Sequence, residues 1–321
     1  MTKIRENIDC VTPSKKGVAL DTLAQLDHIT PEARSKNALE TLTNRAKYKY
    51  FTNEIIYPLI DLKNTREKSY WNTFHCVRLL QQDTEGVIRS KYCKNRICIV
   101  CNRIRTAILI NGYLPSITKW KEIRFLTLSR PNVNLENLLD EIQLQQHQFT
   151  VIWRRLKRKY PNAQALRKIE ITWNWKTKQY HPHFHVLLND YKYSTFLLDN
   201  WLKDFPTALR YKGNMDIKGN LNSVMELFKY MTKIWKTEKA TSNTDEKIVL
   251  PYPPQIIDNI VGIMHKKRTI QSYGKLKKVD DDFENDQATV LSNEIRDKSS
   301  VWVWEQDCKT WVDLETGELR T

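Results

Sequence analysis

The sequence predicts an α+β fold, in which a mostly antiparallel sheet has helices on one side and follows a helical extension and a cysteine-rich segment. Three observations predict it. Short apolar–polar alternations, the mark of half-buried strands, recur between residues 121 and 239. Longer stretches among them repeat at helical spacing. Their order reads β-α-β-β-α-β, so that a strand is inserted inside each βαβ unit.

Arg124-Phe125-Leu126-Thr127-Leu128-Ser129 alternates and stops at Pro131, which makes it the first strand. Residues 135 to about 159 form a long helix that ends before Pro161, with Arg154, Arg155, Lys157, Arg158 and Lys159 where positive charge suits the helix dipole. Residues 168–174 and 180–188 alternate on either side of a short polar turn and read as a β-hairpin. A helix at 193–204 and a strand around 210–218 complete the order, which is that of a ferredoxin-like fold. A further helix is expected from 221 to about 237. There Val224, Leu227, Phe228, Met231, Ile234 and Trp235 make one apolar stripe, and Glu226, Tyr230 and Lys233 cluster nearly opposite it.

Four parts follow along the chain. Residues 1–69 are a helical, partly mobile extension; 70–115 a basic cysteine-rich segment; 120–278 the sheet domain; and 279–321 an acidic linker with a tryptophan-rich tail that forms a small hairpin.

A formal charge of +15, from 52 Lys and Arg against 37 Asp and Glu, points to a polyanionic partner. Ten Trp and 14 Tyr offer flat faces on which unpaired bases stack, which favours nucleic acid over an anionic membrane. No apolar run approaches the roughly 20 residues of a membrane span, and the charged start does not read as a signal peptide, so a cytoplasmic protein is expected. No G-x-x-x-x-G-K-[ST] loop occurs, and duplex unwinding would need a partner.

Two groups of residues carry metal chemistry. His181, His183 and His185 alternate along one strand and therefore project from one face, while Phe184, Val186 and Leu188 face the other way. Three imidazoles crowded together have a purpose if they surround a divalent cation. The hairpin turn near Lys176 sets Glu170 across from Pro182 or His183, as a further candidate ligand or an ordinary solvent-facing strand residue. The second group is Cys93, Cys98 and Cys101, which can reach one tetrahedral Zn²⁺ with Cys76 or His75 completing the set; the alternative is reduced thiols packed under a basic helix. Arg96, Arg103 and Arg105 among the cysteines, Arg154 and Arg155 on the long helix, and Lys267 and Arg268 near the domain's end are the candidate DNA contacts.

A helix-borne phenol flanked by Glu226 four residues before and Lys233 three after is equipped as a nucleophile, with Glu226 as base and Lys233 stabilising the phenolate. A metal, such a tyrosine and a basic aromatic-rich surface together fit phosphoryl transfer on a nucleic-acid strand.

His-Pro-His-Phe-His at 181–185 and Glu226-x-x-x-Tyr230-x-x-Lys233 resemble two motifs of the HUH endonucleases, specifically the rolling-circle replication initiators of small bacterial plasmids. Phe125-Leu126-Thr127-Leu128 is similar to their first motif, and the resemblance extends over about residues 75–277. It implies a ferredoxin-like, RRM-like HUH domain in which His183 and His185 hold Mn²⁺ or Mg²⁺, with His181 or Glu170 as third ligand. It also implies that Tyr230 nicks single-stranded or hairpin DNA at the plasmid origin, remaining on the 5′-phosphate and freeing a 3′-OH primer. Glu226 then activates water at termination. A host helicase and DNA polymerase are the implied partners, in the bacterial cytoplasm, and a homodimer is left open. A single-tyrosine transposase or mobilisation relaxase would use the same chemistry, whereas a non-catalytic zinc-containing DNA-binding regulator would not.

Overall fold

The computed structural model describes residues 38–84, 87–211, 213–228, 234–239, 247–278, 289–290 and 300–320. In chain order the elements are α1 (Ala38–Ile60), α2 (Glu67–Phe74), β1 (Leu79–Gln82), β2 (Val87–Arg89), α3 (Ile99–Ile117), β3 (Arg124–Ser129), α4 (Leu135–Lys159), β4 (Ala165–Asn174) and β5 (Gln179–Leu188). They continue as α5 (Tyr191–Asp204), β6 (Met215–Lys218), α6 (Leu221–Phe228), β7 (Trp235–Lys239), β8 (Lys247–Pro251), α7 (Pro254–Ile263), β9 (Ile270–Tyr273), β10 (Thr289–Val290), β11 (Ser300–Glu305), β12 (Thr310–Asp313) and β13 (Leu319–Arg320). The chain forms two compact units, one of residues 1–104, 236–250 and 282–321, the other of residues 105–235 and 251–281.

The second unit is built on a five-stranded sheet in the order β6-β3-β5-β4-β9, with the four pairings all antiparallel. The first four strands have the expected ferredoxin-like order, β5 lying between β3 and β4, and β9 adds an edge. Alternation along β5 decides what each face buries. Phe184, Val186 and Leu188 are fully buried, Phe184 meeting Phe149 of α4 at 5.7 Å and Trp201 of α5 at 5.9 Å between ring centroids. On the other face Phe125, Leu166 and Leu187 share a core with Ile110, Tyr113 and Ile117 of α3 and with Val224, Leu227 and Phe228 of α6. Each such buried side chain contributes about 1.5–3 kcal/mol. Helix α5 starts on Asp190, whose carboxylate accepts from the Lys192 backbone N–H. After β9 the chain turns at Gly274, where φ is +74° and a Cβ would sit 2.3 Å from the Ala163 carbonyl oxygen, so only glycine fits.

The helix expected from 221 to about 237 is corrected. Helix α6 is described as far as Phe228, and residues 235–237 belong to β7, which pairs with β8. Met231, Tyr230 and Lys233 lie outside the described residues. Trp235 and Thr237 favour a strand, and Ile248 and Val249 in β8 give them a partner of the same kind. A 3.6-residue period counted within one stretch cannot register a pairing with a segment ten residues later. The expected strand at 210–218 is shorter, Met215–Lys218, preceded by a single bridge between Arg210 and Asn214.

The first unit has its own six-stranded sheet, β10-β2-β1-β11-β12-β13. The expected tryptophan hairpin is β11–β12, with Trp304 opposite Trp311, and β11 pairs in turn with β1. Trp302, Trp304 and Trp311 share a core with Leu42 and Ala46 of α1 and with Cys76, Cys98 and Cys101. The Trp311 indole N–H donates to the Val77 carbonyl at 2.9 Å, and the Asn53 amide donates to Gln306 at 2.8 Å. Among the described residues no helix is long and apolar enough to cross a membrane.

Candidate metal centre and active site

The histidine strand lies in the middle of the second unit's sheet, paired on both sides, and that fixes where its imidazoles point. The register sets Thr127 of β3 opposite His185 and Glu170 of β4 opposite His183. Since opposed residues share a face, Lys168, Glu170, His183, His185 and Thr127 all look out on one side. It is the face on which α6 packs.

One ligand atom from each of Glu170, His183 and His185 lies within 4.8 Å of the others. Glu170 Oε1 is 3.9 Å from His183 Nε2. The His183 ring is anchored through Nδ1, 3.0 Å from the carbonyl of His181, which leaves Nε2 as the nitrogen turned to Glu170. Thr127 Oγ1 lies 3.3 Å from Nδ1 of His185. Burial pulls His183 down to about 4, His185 adding to the fall and the Glu170 charge opposing it. The ring is therefore neutral at pH 7, as a metal ligand must be. Lys168 is 1% exposed and its ammonium is 3.0 Å from Glu170 Oε2, so the carboxylate's other oxygen is the one nearer His183.

His181 stands apart from this group. Its ring stacks on His183 at 4.9 Å, and burial with the neighbouring His183 pulls it down to about 4. Of the two candidates for a third ligand, the geometry brings in Glu170 and leaves His181 outside. Lys168 and Thr127 were not singled out from the sequence; both sit at polar positions of alternating strands, a signal they share with ordinary exposed residues.

Glu226 is exposed near the end of α6. The carbonyl of Phe228, the last described residue of that helix, accepts from Thr106 Oγ1 of α3 at 3.1 Å. Tyr230 and Lys233 themselves lie outside the described residues.

In the first unit Cys76, Cys93, Cys98 and Cys101 come together, with one sulfur from each within 4.8 Å of the others. Cys76 is the fourth member; His75 is exposed and stacks on Trp71 at 5.8 Å. The candidate DNA contacts are spread over both units. Arg103 lies over the Tyr48 ring at 4.9 Å, and Arg96 and Arg105 are half-buried. Arg154 is exposed on α4, behind the sheet relative to the histidines, and beside it Arg155 pairs with Asp204 at 3.0 Å. Lys267 and Arg268 line a pocket of about 270 Å³ with Gln146, Thr150, Arg167 and Gln271.

Residues 85–313 match the family model described as Replication protein. Three curated relatives share local similarity with the chain. A "Protein rep" of Staphylococcus aureus is 36% identical over 112 residues, which cover 33% of this chain and 48% of the relative. One from Streptococcus pneumoniae serotype 2 is 33% identical over 30% of this chain and 32% of its own length. Another from Lentilactobacillus hilgardii is 31% identical over 33% of this chain and 36% of its own. The chain thus spans less than half the length of the curated relatives it matches. No solved structure matches. Because the family model takes in most of the sequence, including Cys93, Cys98 and Cys101, the histidine strand and α6, the chain belongs to the Replication protein family.

Proposed function

We propose that the chain is a plasmid rolling-circle replication initiator of the HUH class, which nicks one DNA strand at the origin by tyrosine transesterification. The observation that carries this reading is a shared sheet face. Glu170, His183 and His185 converge on the face where α6 packs, and in the sequence Tyr230 lies two residues beyond Phe228, the last described residue of α6. The name "Protein rep" of the relatives supports it.

Glu170, His183 and His185 would hold Mn²⁺ or Mg²⁺, since two imidazoles and one carboxylate suit a hard to borderline divalent ion. When bound, the ion would supply positive charge beside the scissile phosphate. Lys168 holds one oxygen of Glu170, and the His181 carbonyl holds the His183 ring, so both ligands are oriented before anything binds. A phenol is a poor nucleophile because its pKa is about 10. Glu226 takes the proton of Tyr230, and Lys233 stabilises the phenolate. The phenolate oxygen bonds to phosphorus as the bond to the 3′-oxygen breaks. The 5′-phosphate stays on Tyr230, and the departing oxygen takes up a proton to become the 3′-OH from which a polymerase extends. At termination Glu226 takes a proton from water, whose oxygen attacks the phosphotyrosine and frees Tyr230. Arg96 and Arg103 in the first unit and Arg105, Lys267 and Arg268 in the second would each supply positive charge to DNA phosphates. A host helicase opens the duplex.

Incubating the protein with labelled origin-like single-stranded DNA and Mn²⁺ is expected to give an adduct that survives denaturation. Peptide mapping should place the phosphate on Tyr230, and Tyr230→Phe should give none. Glu226→Ala should form the adduct more slowly, having lost the base for the Tyr230 proton, and should fail to hydrolyse it. DNA binding without any adduct would overturn the enzymatic reading, and hydrolysis at the wild-type rate in Glu226→Ala would remove Glu226 from the second step.

A further inference from the structure

The cysteine cluster of the first unit is a second candidate centre, which the nicking chemistry neither uses nor explains. The Sγ atoms of Cys76 and Cys101 are 3.5 Å apart, those of Cys93 and Cys101 3.6 Å, and those of Cys98 and Cys76 3.6 Å. A disulfide needs about 2.05 Å, and all four are free thiols. With Zn–S bonds of about 2.3 Å, the edge of a tetrahedron of sulfurs is about 3.8 Å. The spacing therefore suits four sulfurs around one small ion. Cys76, Cys98 and Cys101 are buried, and thiols packed only as small apolar side chains would not need one sulfur from each of the four within 4.8 Å of the others.

The backbone is arranged for this purpose. Three amide N–H groups point at the sulfurs: Cys93 at Cys76 Sγ (3.4 Å), Asn95 at Cys93 Sγ (3.4 Å) and Cys101 at Cys98 Sγ (3.5 Å). Val77, directly after Cys76, has φ of +53°. A β-branched residue in the left-handed region costs about 1–2 kcal/mol, and this conformation turns the chain just after the Cys76 sulfur enters the cluster. Lys94, directly after Cys93, is left-handed as well, with φ of +58°.

Charge supplies an independent indication. Lys49 of α1 is 1% exposed, donates to Asn53 Oδ1 at 3.1 Å, and also donates to the carbonyl of Phe74, two residues before Cys76. Burial draws its ammonium down to about 8. A buried ammonium is costly without a negative counterpart. Four thiolates around a divalent ion carry a net charge of −2 and would provide one.

We propose that Cys76, Cys93, Cys98 and Cys101 hold one Zn²⁺ in a closed, structural tetrathiolate site, with Lys49 as its internal counter-charge. Binding releases the four thiol protons to solvent and involves no redox change. All four positions are filled by sulfur, so the ion has no open position for a substrate; its effect is to fix the Cys76 and Cys93–Cys101 segments against α1 and the tryptophan hairpin. Lys49 acts through the sulfurs and the Phe74 carbonyl and is a positioning residue. The proposal does not rest on the nicking reaction.

The test is metal analysis of the full chain purified under reducing conditions without added chelator. One zinc per chain is expected, released in step with the titration of four thiols by a mercurial reagent. Cobalt exchanged into the site should show the visible bands of a tetrahedral thiolate complex. Cys98→Ser should hold less than a tenth of the zinc. Lys49→Met should still bind one zinc but lose it to a chelator about 10–100-fold faster, the range for partners outside the ligand shell. Native protein that carries no zinc, that carries iron instead, or whose zinc is released without freeing thiols would overturn the site. Unchanged release from Lys49→Met would overturn the part assigned to Lys49. None of these measurements involves DNA, so they stand apart from the outcome of the adduct assay.

Discussion

His183→Ala is expected to lower the single-turnover rate of adduct formation by about 10²–10³-fold at fixed Mn²⁺, the equivalent of roughly 3–4 kcal/mol of transition-state stabilisation. The expectation comes from position. His183 is buried, faces Glu170 across the hairpin, and has its Nδ1 tied to its own strand, so the lone pair on Nε2 is fixed in direction. His181→Ala is the informative comparison. That ring packs on His183 but lies outside the group of converging ligand atoms, so its removal should cost less than about tenfold, through looser packing of His183. Equal losses in the two variants would transfer the third-ligand role from Glu170 to His181. Adduct formation unaffected by His183→Ala would end the metal reading altogether.

Lys168→Met should be the most destabilising single change in this part of the sheet. The ammonium is 1% exposed and 3.0 Å from a carboxylate whose side chain is 10% exposed. Removing one partner of a buried pair leaves an uncompensated charge and costs about 3–5 kcal/mol, which lowers Tm by about 10 °C in a unit of this size. A divalent cation at Glu170, His183 and His185 would restore the missing positive charge. Mn²⁺ should therefore raise Tm more in Lys168→Met than in the wild type, by mass action on the folded state. Adding Glu170→Gln should recover much of the stability while abolishing both the Mn²⁺ shift and adduct formation. A Tm in Lys168→Met within a degree of wild type would show that the pair is not holding the carboxylate.

The sheet was legible because its strands alternate and its helices repeat, and both signals are local. The strand at residues 124–129 and the helix at residues 135–159 keep their expected limits. The hairpin register followed from one turn near Lys176, and it set Glu170 opposite His183, one of the two residues expected there. What the sequence could not disclose depends on partners far along the chain. Residues 235–237 continue the helical spacing in isolation, and only the pairing of Trp235–Lys239 with Lys247–Pro251 makes them a strand. Lys168 looks like any polar residue on an alternating strand until its burial against Glu170 is known. Cys76 and His75 were equal candidates on spacing, and three-dimensional placement separates them by turning one sulfur inward and leaving the imidazole exposed.

The first unit joins residues that are synthesised far apart in time. Asn53 bonds Gln306 across 253 positions and Val77 accepts from Trp311 across 234. At a translation rate of roughly 5–20 residues per second, Val77 leaves the ribosome roughly 10–50 s before the tryptophan that covers it. In that interval Cys76, Cys93, Cys98 and Cys101 have all been made while β11 and β12 have not. The histidine sheet needs nothing beyond Tyr273 for its five strands. A ribosome that stops short of residue 300 would therefore release a chain that carries every strand of the histidine sheet and lacks the tryptophan hairpin that closes the core around Cys76, Cys98 and Cys101.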